Sequence, residues 1–420
     1  MAAVEYRREK YIQDLVLRMG NGLIKVITGM RRVGKSYLLF KLFRDYLRDH
    51  SVEDSHIISM EFDRWECRMY RNPERFMAWV AEQIVDDGIY YILLDEVQML
   101  TSFEEVLNSL LHIRNADIYV TGSNSKFLSK DVITEFRGRG DEIHVYPLTF
   151  REYMQRFSGD TYHGWAEYYT YGGLPAVAGM QTDSQKMGYL GSLFREVYFK
   201  DIMERNQLSL SQELDDLVNI LASSVGSLTN PSRIESTFKT VLRSGISVNT
   251  IKQYIGFLED SFLIDEACRY DIKGRKYIGS LLKYYFEDVG LRNARIGFRQ
   301  TEETHLMENI LYNELRYRGF CVDVGIVEDR TKDEDGICQR RQLEIDFVAH
   351  QGSLRYYIQS ALSLLDEAKI QQEKASFYKV RDFHKRIIVV KDVMPVQRDE
   401  AGIVTISLYD FLLNPRSLEL

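Results

Sequence analysis

Residues 29–36 read GMRRVGKS, and this octet joins a short apolar run at 23–28 to a stretch at 35–48 with helical spacing. The apolar residues of that stretch are Leu38, Leu39, Leu42, Phe43 and Tyr46, the i, i+3, i+4 recurrence of one helix face. A glycine-rich turn from a buried strand straight into a helix commits the chain to an α/β layer of parallel strands. The spacing Gly29, Gly34, Lys35, Ser36 fits G-x-x-x-x-G-K-[ST], and the strand–helix context separates it from an ordinary Gly-rich turn. The glycines let the backbone wrap tightly with N–H groups pointed inward, and the helix N-terminus adds positive partial charge, so the loop suits phosphate. In that chemistry Lys35 neutralises the β- and γ-phosphates and Ser36 supplies an oxygen to Mg²⁺. The expected ATP-binding run is therefore Gly29, Met30, Arg31, Arg32, Val33, Gly34, Lys35, Ser36 and Tyr37.

Four further strands are expected at 57–62, 90–94, 118–121 and 142–146, with helices opening near Pro73 and spanning 103–113. Strands alternating with helices over residues 1–150 predict a parallel sheet with crossover helices. The strand YYILL runs into Asp95 and Glu96. A buried parallel strand that ends in two carboxylates places them at the edge where open α/β sheets bind ligands. Asp95 is the expected Mg²⁺ residue with Ser36, commonly through the ion's water shell, and Glu96 the group that orients or activates water. The strand IYVT leads into Thr121, Ser123 and Asn124. Asn124 is the candidate γ-phosphate or water contact there, against the plainer reading of a hydrophilic strand end. Arg137 and Arg139 in FRGRG are surface arginines or, in the case of Arg139, an arginine finger from the same chain or a neighbour.

Composition narrows the remaining classes. With 45% hydrophobic and 28% charged residues in 420, wholesale disorder is excluded. A net charge of −8 provides no whole-chain attraction to nucleic acid or anionic membrane. The four cysteines form no C-x-x-C pair, which argues against a zinc site or disulfide framework. No uncharged apolar run approaches the roughly 18 residues of a membrane span, and the first ten residues lack an apolar signal core. A cytoplasmic protein without a membrane partner is the expectation.

The order GMRRVGKS, YYILLDEVQ, TGSNSKFLS, FRGRG, YPLTFREY, followed by YGGLP, KDIMERN, NTIKQYIGFLEDSFLI and KYYFEDVGLRN, resembles the bacterial and archaeal AAA-type P-loop ATPases that carry an uncharacterised C-terminal domain. The resemblance covers nearly the whole chain. It implies an α/β AAA-type ATPase core at 1–150, a helical lid or connector at 151–230, a winged-helix unit at 231–300, and a restriction-endonuclease-like α/β domain at 301–420.

The residues of the later segments agree in outline. Helices expected at 213–225, 232–242 and 248–260, followed by a hairpin, make a winged-helix order. Ser247 is the N-cap of the third. Residues 231–300 hold 12 Lys+Arg against eight Asp+Glu. With the wing turn Lys273–Lys276, this makes the unit a binding surface for DNA or, equally in keeping with such folds, for protein. Helices at 302–318 and 366–380 and strands near 320–327, 342–349, 354–359 and 386–390 follow. In the nuclease layout that this last part resembles, Glu308, Asp346 and Gln359 stand at metal-ligand positions and Ala361 where lysine is required. A metal-dependent nuclease needs two or three carboxylates and a group to activate water, so the unit is expected to be nuclease-inactive. Lys369 is the alternative lysine. Three functions remain in view: a Mg²⁺-dependent ATPase, as a single chain or a homo-oligomer, that drives an interaction platform; a non-hydrolysing ATP switch; and a DNA nuclease.

Overall fold

The computed structural model describes residues 5–122, 138–208, 212–332, 338–364 and 366–420. The chain divides into two units, one comprising Met1–Pro147 with Asp260–Phe262, the other Leu148–Glu259 with Leu263–Leu420.

In the first unit, β1 (Ile24–Thr28), β2 (Ile57–Glu61), β3 (Tyr90–Asp95), β4 (Ala116–Thr121) and β5 (Gly140–His144) form a parallel sheet in the order β2-β3-β4-β1-β5. Every residue of β1 and β3 is buried, as a parallel sheet covered on both faces requires. Ile24, Val26, Ile58, Phe76, Ile92, Leu94 and Leu107 belong to one continuous core. From β1 the chain crosses toward the β2 edge, returns through β3 and β4, and then passes to β5 on the other side of β1. That reversal beside β1 is where open sheets leave a crevice at their carboxyl ends. The registers Ile27↔Thr121 and Glu61↔Asp95 bring the ends of β1, β2, β3 and β4 level there.

Residues 35–49 form one continuous helix whose middle, Leu38–Phe43, is wound as a π-helix. Such insertions concentrate near functional sites. Pro73 occupies the first position of the helix Pro73–Gln83, and the Asn72 side chain accepts from the Arg75 N–H at 3.0 Å. The helix Glu9–Leu17 was not legible in the pattern. Within it only Tyr11 and Leu15 are buried, too few for a periodic signal.

The second unit begins with helices, among them Thr161–Tyr171, Asp183–Ser192, Gln212–Ser223, Pro231–Thr237 and Val248–Asp260. Ser247 caps the last, accepting from the Thr250 N–H at 3.1 Å. The hairpin β6 (Ile264–Asp271) and β7 (Lys276–Phe286) follows. It is joined by β8 (Cys321–Lys332), β9 (Cys338–Gln351), β10 (Leu354–Ala361), β11 (Lys385–Val390), β12 (Gln397–Arg398) and β13 (Val404–Ser407) in an eight-stranded sheet, β12-β13-β11-β10-β9-β8-β6-β7. β6 runs parallel to β8 through Arg269↔Val324 and Tyr270↔Gly325. The hairpin is thus hydrogen-bonded into the C-terminal sheet, which crosses residue 300 where the sequence pattern places a unit boundary. The helix Glu303–Tyr317 has ten of its 15 residues buried, and the helix Glu367–Tyr378 sends Phe377 into a core with Ile345, Tyr357 and Ile388.

Candidate functional site

The loop after β1 owes its shape to two glycines with different physical roles. A Cβ on Gly29, at φ 130°, would lie 2.2 Å from the Val145 carbonyl oxygen, so a close backbone approach forces glycine there. Gly34 has open space around it but sits at φ 97°, a left-handed conformation that costs a side-chain-bearing residue roughly 1–2 kcal/mol. Arg32 is also left-handed, at φ 68°, so the backbone alternates in hand from Arg32 to Lys35. Alternation of this kind turns successive N–H groups toward one side and forms an anion nest. Leu38 N–H donates to Gly34 C=O at 2.8 Å, starting the helix whose N-terminus completes the nest.

Lys35 is buried, and its Nζ donates to the carbonyls of Gly29 at 2.8 Å and Met30 at 2.9 Å. The ammonium is thereby held over the loop's own backbone. Ser36 is exposed, and its Oγ donates to Asp95 Oδ1 at 3.1 Å. Met30 and Val33 are buried, so their side chains belong to the core and only their backbone is available to a ligand.

Asp95, at the end of β3, is the electrostatic centre of the site. Thr121 Oγ1, at the end of β4, donates to Asp95 Oδ1 and accepts from the Glu96 N–H at 3.2 Å. Burial pushes the Asp95 carboxyl above its ordinary pKa, while the hydrogen bonds from Thr121 and Ser36 oppose the shift. Glu96 takes a left-handed conformation, φ 50° and ψ 46°. The Gln98 amide donates to its Oε2. Left-handed non-glycine residues are costly and cluster at functional sites.

Among the described residues, one group of carboxylates has ligand atoms all within 4.8 Å of one another: Glu61, Asp63 and Asp95. With the Ser36 hydroxyl these are hard oxygen donors, the type that suits Mg²⁺. The sequence pattern passed over Glu61 and Asp63, although MEFD ends an apolar strand much as LLDE does. It also passed over Gln98, and it noted Thr121 without choosing it. Asn124 and Arg137 lie outside the described residues. Arg139 is exposed, and its carbonyl accepts from the Ile24 N–H at 2.8 Å. It therefore stands at the amino end of β1, about 16 Å along an extended strand from the loop. That distance removes it from its own chain's loop.

A second constellation lies in the eight-stranded sheet. Lys283 on β7 is buried, with its Nζ 2.7 Å from Glu308, 2.8 Å from Glu344 and 3.9 Å from Asp346. Tyr285 Oη donates to the same Glu308 oxygen at 2.7 Å, and the Ser360 N–H donates to Asp346 at 2.8 Å. Burial alone would lower the Lys283 pKa, but the charges of Glu308, Asp346 and Glu344 together raise it. Asp346 is pushed up by burial and then by Glu308. Ala361 packs in the core, and Lys369 pairs with Glu373 on its own helix at 2.6 Å. The lysine in the carboxylate cluster is thus Lys283, some 60 residues before Asp346 and hidden from any short motif.

The fold spends much of the basic charge counted at 231–300. Lys283 is in that cluster. Arg295 pairs with Asp215 at 2.6 Å and Lys239 with Glu235 at 2.9 Å. Arg292 is buried against the Ala222 carbonyl at 2.6 Å, and Arg269 donates to Gln342 at 2.8 Å. Arg243, Lys252, Lys273, Arg275 and Lys276 are exposed.

Residues 21–154 match the model of an AAA domain, and residues 162–302 match that of a domain of unknown function. An uncharacterized protein of Haemophilus influenzae is 32% identical over 420 residues, covering 98% of this chain and 100% of that protein. An uncharacterized protein of Methanocaldococcus jannaschii is 24% identical over 386 residues, 88% of this chain and 81% of the other. Among solved structures, the Aeropyrum pernix ORC1 protein in complex with DNA overlaps 70% of this chain and 93% of its own, at 13% identity and a TM-score of 0.30. AMPPCP-bound DnaA from Aquifex aeolicus overlaps 62% and 89%, at 14% identity and a TM-score of 0.30. Among the described residues no helix is long and apolar enough to cross a membrane. With a relative 32% identical along its whole length, the chain belongs to the family of the Haemophilus protein, and residues 21–154 of this chain carry an AAA domain.

Proposed function

We propose that the first unit binds and hydrolyses ATP with Mg²⁺, and that nucleotide state controls what the second unit engages. The observation that carries this reading is the Ser36–Asp95–Thr121–Glu96 chain of hydrogen bonds, which ties the phosphate loop to the two carboxylates at the end of β3. Lys35 and the loop N–H groups hold the phosphates. Ser36 and Asp95, with Glu61 and Asp63 beside them, hold the metal, which supplies charge neutralisation at the phosphate oxygens. Glu96 accepts a proton from, or orients, the attacking water. Its left-handed backbone and the Gln98 amide fix where its carboxylate points. Arg139 acts on a neighbouring copy in a homo-oligomer, since it is remote from its own loop. Asn124 serves as a γ-phosphate contact.

In the second unit, Lys283 takes the place of a metal as internal counter-ion to Glu308, Glu344 and Asp346. The C-terminal part is then an interaction platform without nuclease activity. The exposed Lys252, Lys273, Arg275 and Lys276 face a DNA or protein partner. A non-hydrolysing switch is the second reading, favoured by the bond that occupies Glu96 Oε2. Phosphate release by wild type and Glu96→Gln, with nucleotide affinity measured in parallel, decides between them. Hydrolysis predicts turnover in wild type, its loss in Glu96→Gln with ATP still bound, and loss of binding in Lys35→Ala. Equal phosphate release in wild type and Glu96→Gln refutes the role of Glu96, and unchanged affinity in Lys35→Ala refutes the loop.

A further inference from the structure

Neither the nucleotide loop nor the Lys283 cluster accounts for a pocket of about 560 Å³ in the second unit. Its walls are the turn after the helix Glu367–Tyr378, the start of β11, and the turn between β12 and β13, including Arg381, Phe383, Lys385, Arg386 and Arg398. Asp382 is the lone carboxylate on the wall. It is committed elsewhere, accepting from Tyr357 Oη at 2.6 Å and from the His384 N–H at 3.2 Å. Arg386 braces the turn by donating to the carbonyls of Val380 at 3.1 Å and Asp382 at 2.8 Å. Lys385 Nζ donates to the Leu418 carbonyl at 2.9 Å. Burial and then the charge of Arg398 push its pKa down. Arg381 and Arg398 are exposed and form no ion pair among the described residues.

Lys385 Nζ also donates to the Leu420 oxygen, so Arg381 and Arg398 are the wall cations that, beside one engaged carboxylate, make a field favouring an anion. Phe383 adds a second requirement. Its relative exposure is 105%, so the ring stands wholly in solvent at the rim of a charged pocket. An exposed aromatic ring beside arginines is the pairing that holds unpaired bases, the ring stacking on the base while the cations track phosphates. A duplex hides its base faces within the stack, and an acidic peptide or inorganic phosphate leaves the ring unused.

We infer that this pocket binds single-stranded nucleic acid, with Phe383 stacking on a base and Arg381 and Arg398 holding the adjacent phosphates. The site is independent of the nucleotide loop and of the basic hairpin turn.

The test is fluorescence anisotropy of a labelled 12-nucleotide dT strand with the full chain. Phe383→Ala should weaken binding about five- to thirtyfold, and Phe383→Trp should restore it, because stacking tolerates any large ring. Arg381→Ala with Arg398→Ala should reduce the slope of log affinity against log salt by about 1.4, roughly 0.7 for each single-strand phosphate that is no longer neutralised. A 5-iodouridine strand should cross-link to the peptide holding Phe383. The inference is overturned if the strand does not bind, if Phe383→Ala binds as wild type does, or if the cross-link maps elsewhere. It is equally overturned if a duplex, poly-glutamate or inorganic phosphate at matched charge competes as well as the unlabelled strand.

Discussion

Replacing Lys283 by Met removes the ammonium that lies between three carboxylates of the second unit. The side chain is only 4% exposed, with oxygens of Glu308 and Glu344 at 2.7 and 2.8 Å and of Asp346 at 3.9 Å. Methionine fills a similar volume, so the loss is electrostatic rather than a cavity. Removing one partner of a buried ion pair strands the other charge and costs about 3–5 kcal/mol. The cluster goes from one cation against three carboxylates to none, which puts the expected loss at the upper end of that range. Part of the loss is recovered by protonation, so it should shrink as pH falls. The units need not unfold together, and a whole-chain transition would blur the effect. A local probe is available, since two of the three tryptophans, Trp65 and Trp79, lie in the first unit. Trp165 is buried in the second, donating at 2.6 Å to Glu303, the first residue of the helix that carries Glu308. In a Trp65→Phe, Trp79→Phe background, urea unfolding followed by Trp165 emission reports this unit. Lys283→Met should lower its stability by about 4 kcal/mol near pH 7, and adding Glu308→Gln should return part of it. A loss below about 1 kcal/mol, as for a solvated pair, with no effect of the second substitution, would refute the view that Lys283 balances the cluster.

Thr121→Val keeps the shape of the side chain but leaves Glu96 N–H and Asp95 without their shared hydroxyl. Phosphate release should fall by tenfold or more, about 1.4 kcal/mol, while ATP affinity changes little; unchanged turnover counts against the bridge. Arg139→Ala mixed with Lys35→Ala should recover activity that neither has alone, because each supplies the part the other lacks; absence of rescue across protein concentrations argues against action between copies. Asp288 accepts from the N–H groups of Leu291 at 2.9 Å and Gly173 at 2.8 Å, yet burial pushes its carboxyl up to about 6. A native pKa above the unfolded one means that the folded state holds the proton more tightly. The stabilisation is therefore full below about pH 4 and lost as pH rises through 6, by about 3 kcal/mol. Trp165-detected unfolding of wild type and Asp288→Asn between pH 4 and 7 should diverge by that amount, and parallel profiles would disprove it.

The nucleotide loop and the five strands of the first sheet were legible because each is local. Gly29, Gly34, Lys35 and Ser36 act within one turn, and a buried parallel strand such as YYILLD is written as a continuous apolar run. Ser247 and Pro73 marked helix starts for the same reason, since a cap is a contact across three residues. Lys25 in the run LIKVIT shows the limit. Nothing adjacent explains a charge in a strand, and only the parallel pairing of β1 with β4 brings it to the buried Asp117. Glu61 and Asp63 likewise join Asp95 because β2 pairs with β3. Lys283 reaches Glu308, Glu344 and Asp346 because the hairpin is part of the C-terminal sheet. The basic tally over 231–300 does not say which cations are engaged, because charge is additive in sequence while its availability depends on which neighbours the fold supplies. Local geometry and periodicity are thus carried by the sequence itself. Which charges are spent on one another depends on strand order, and strand order is a property of the folded chain.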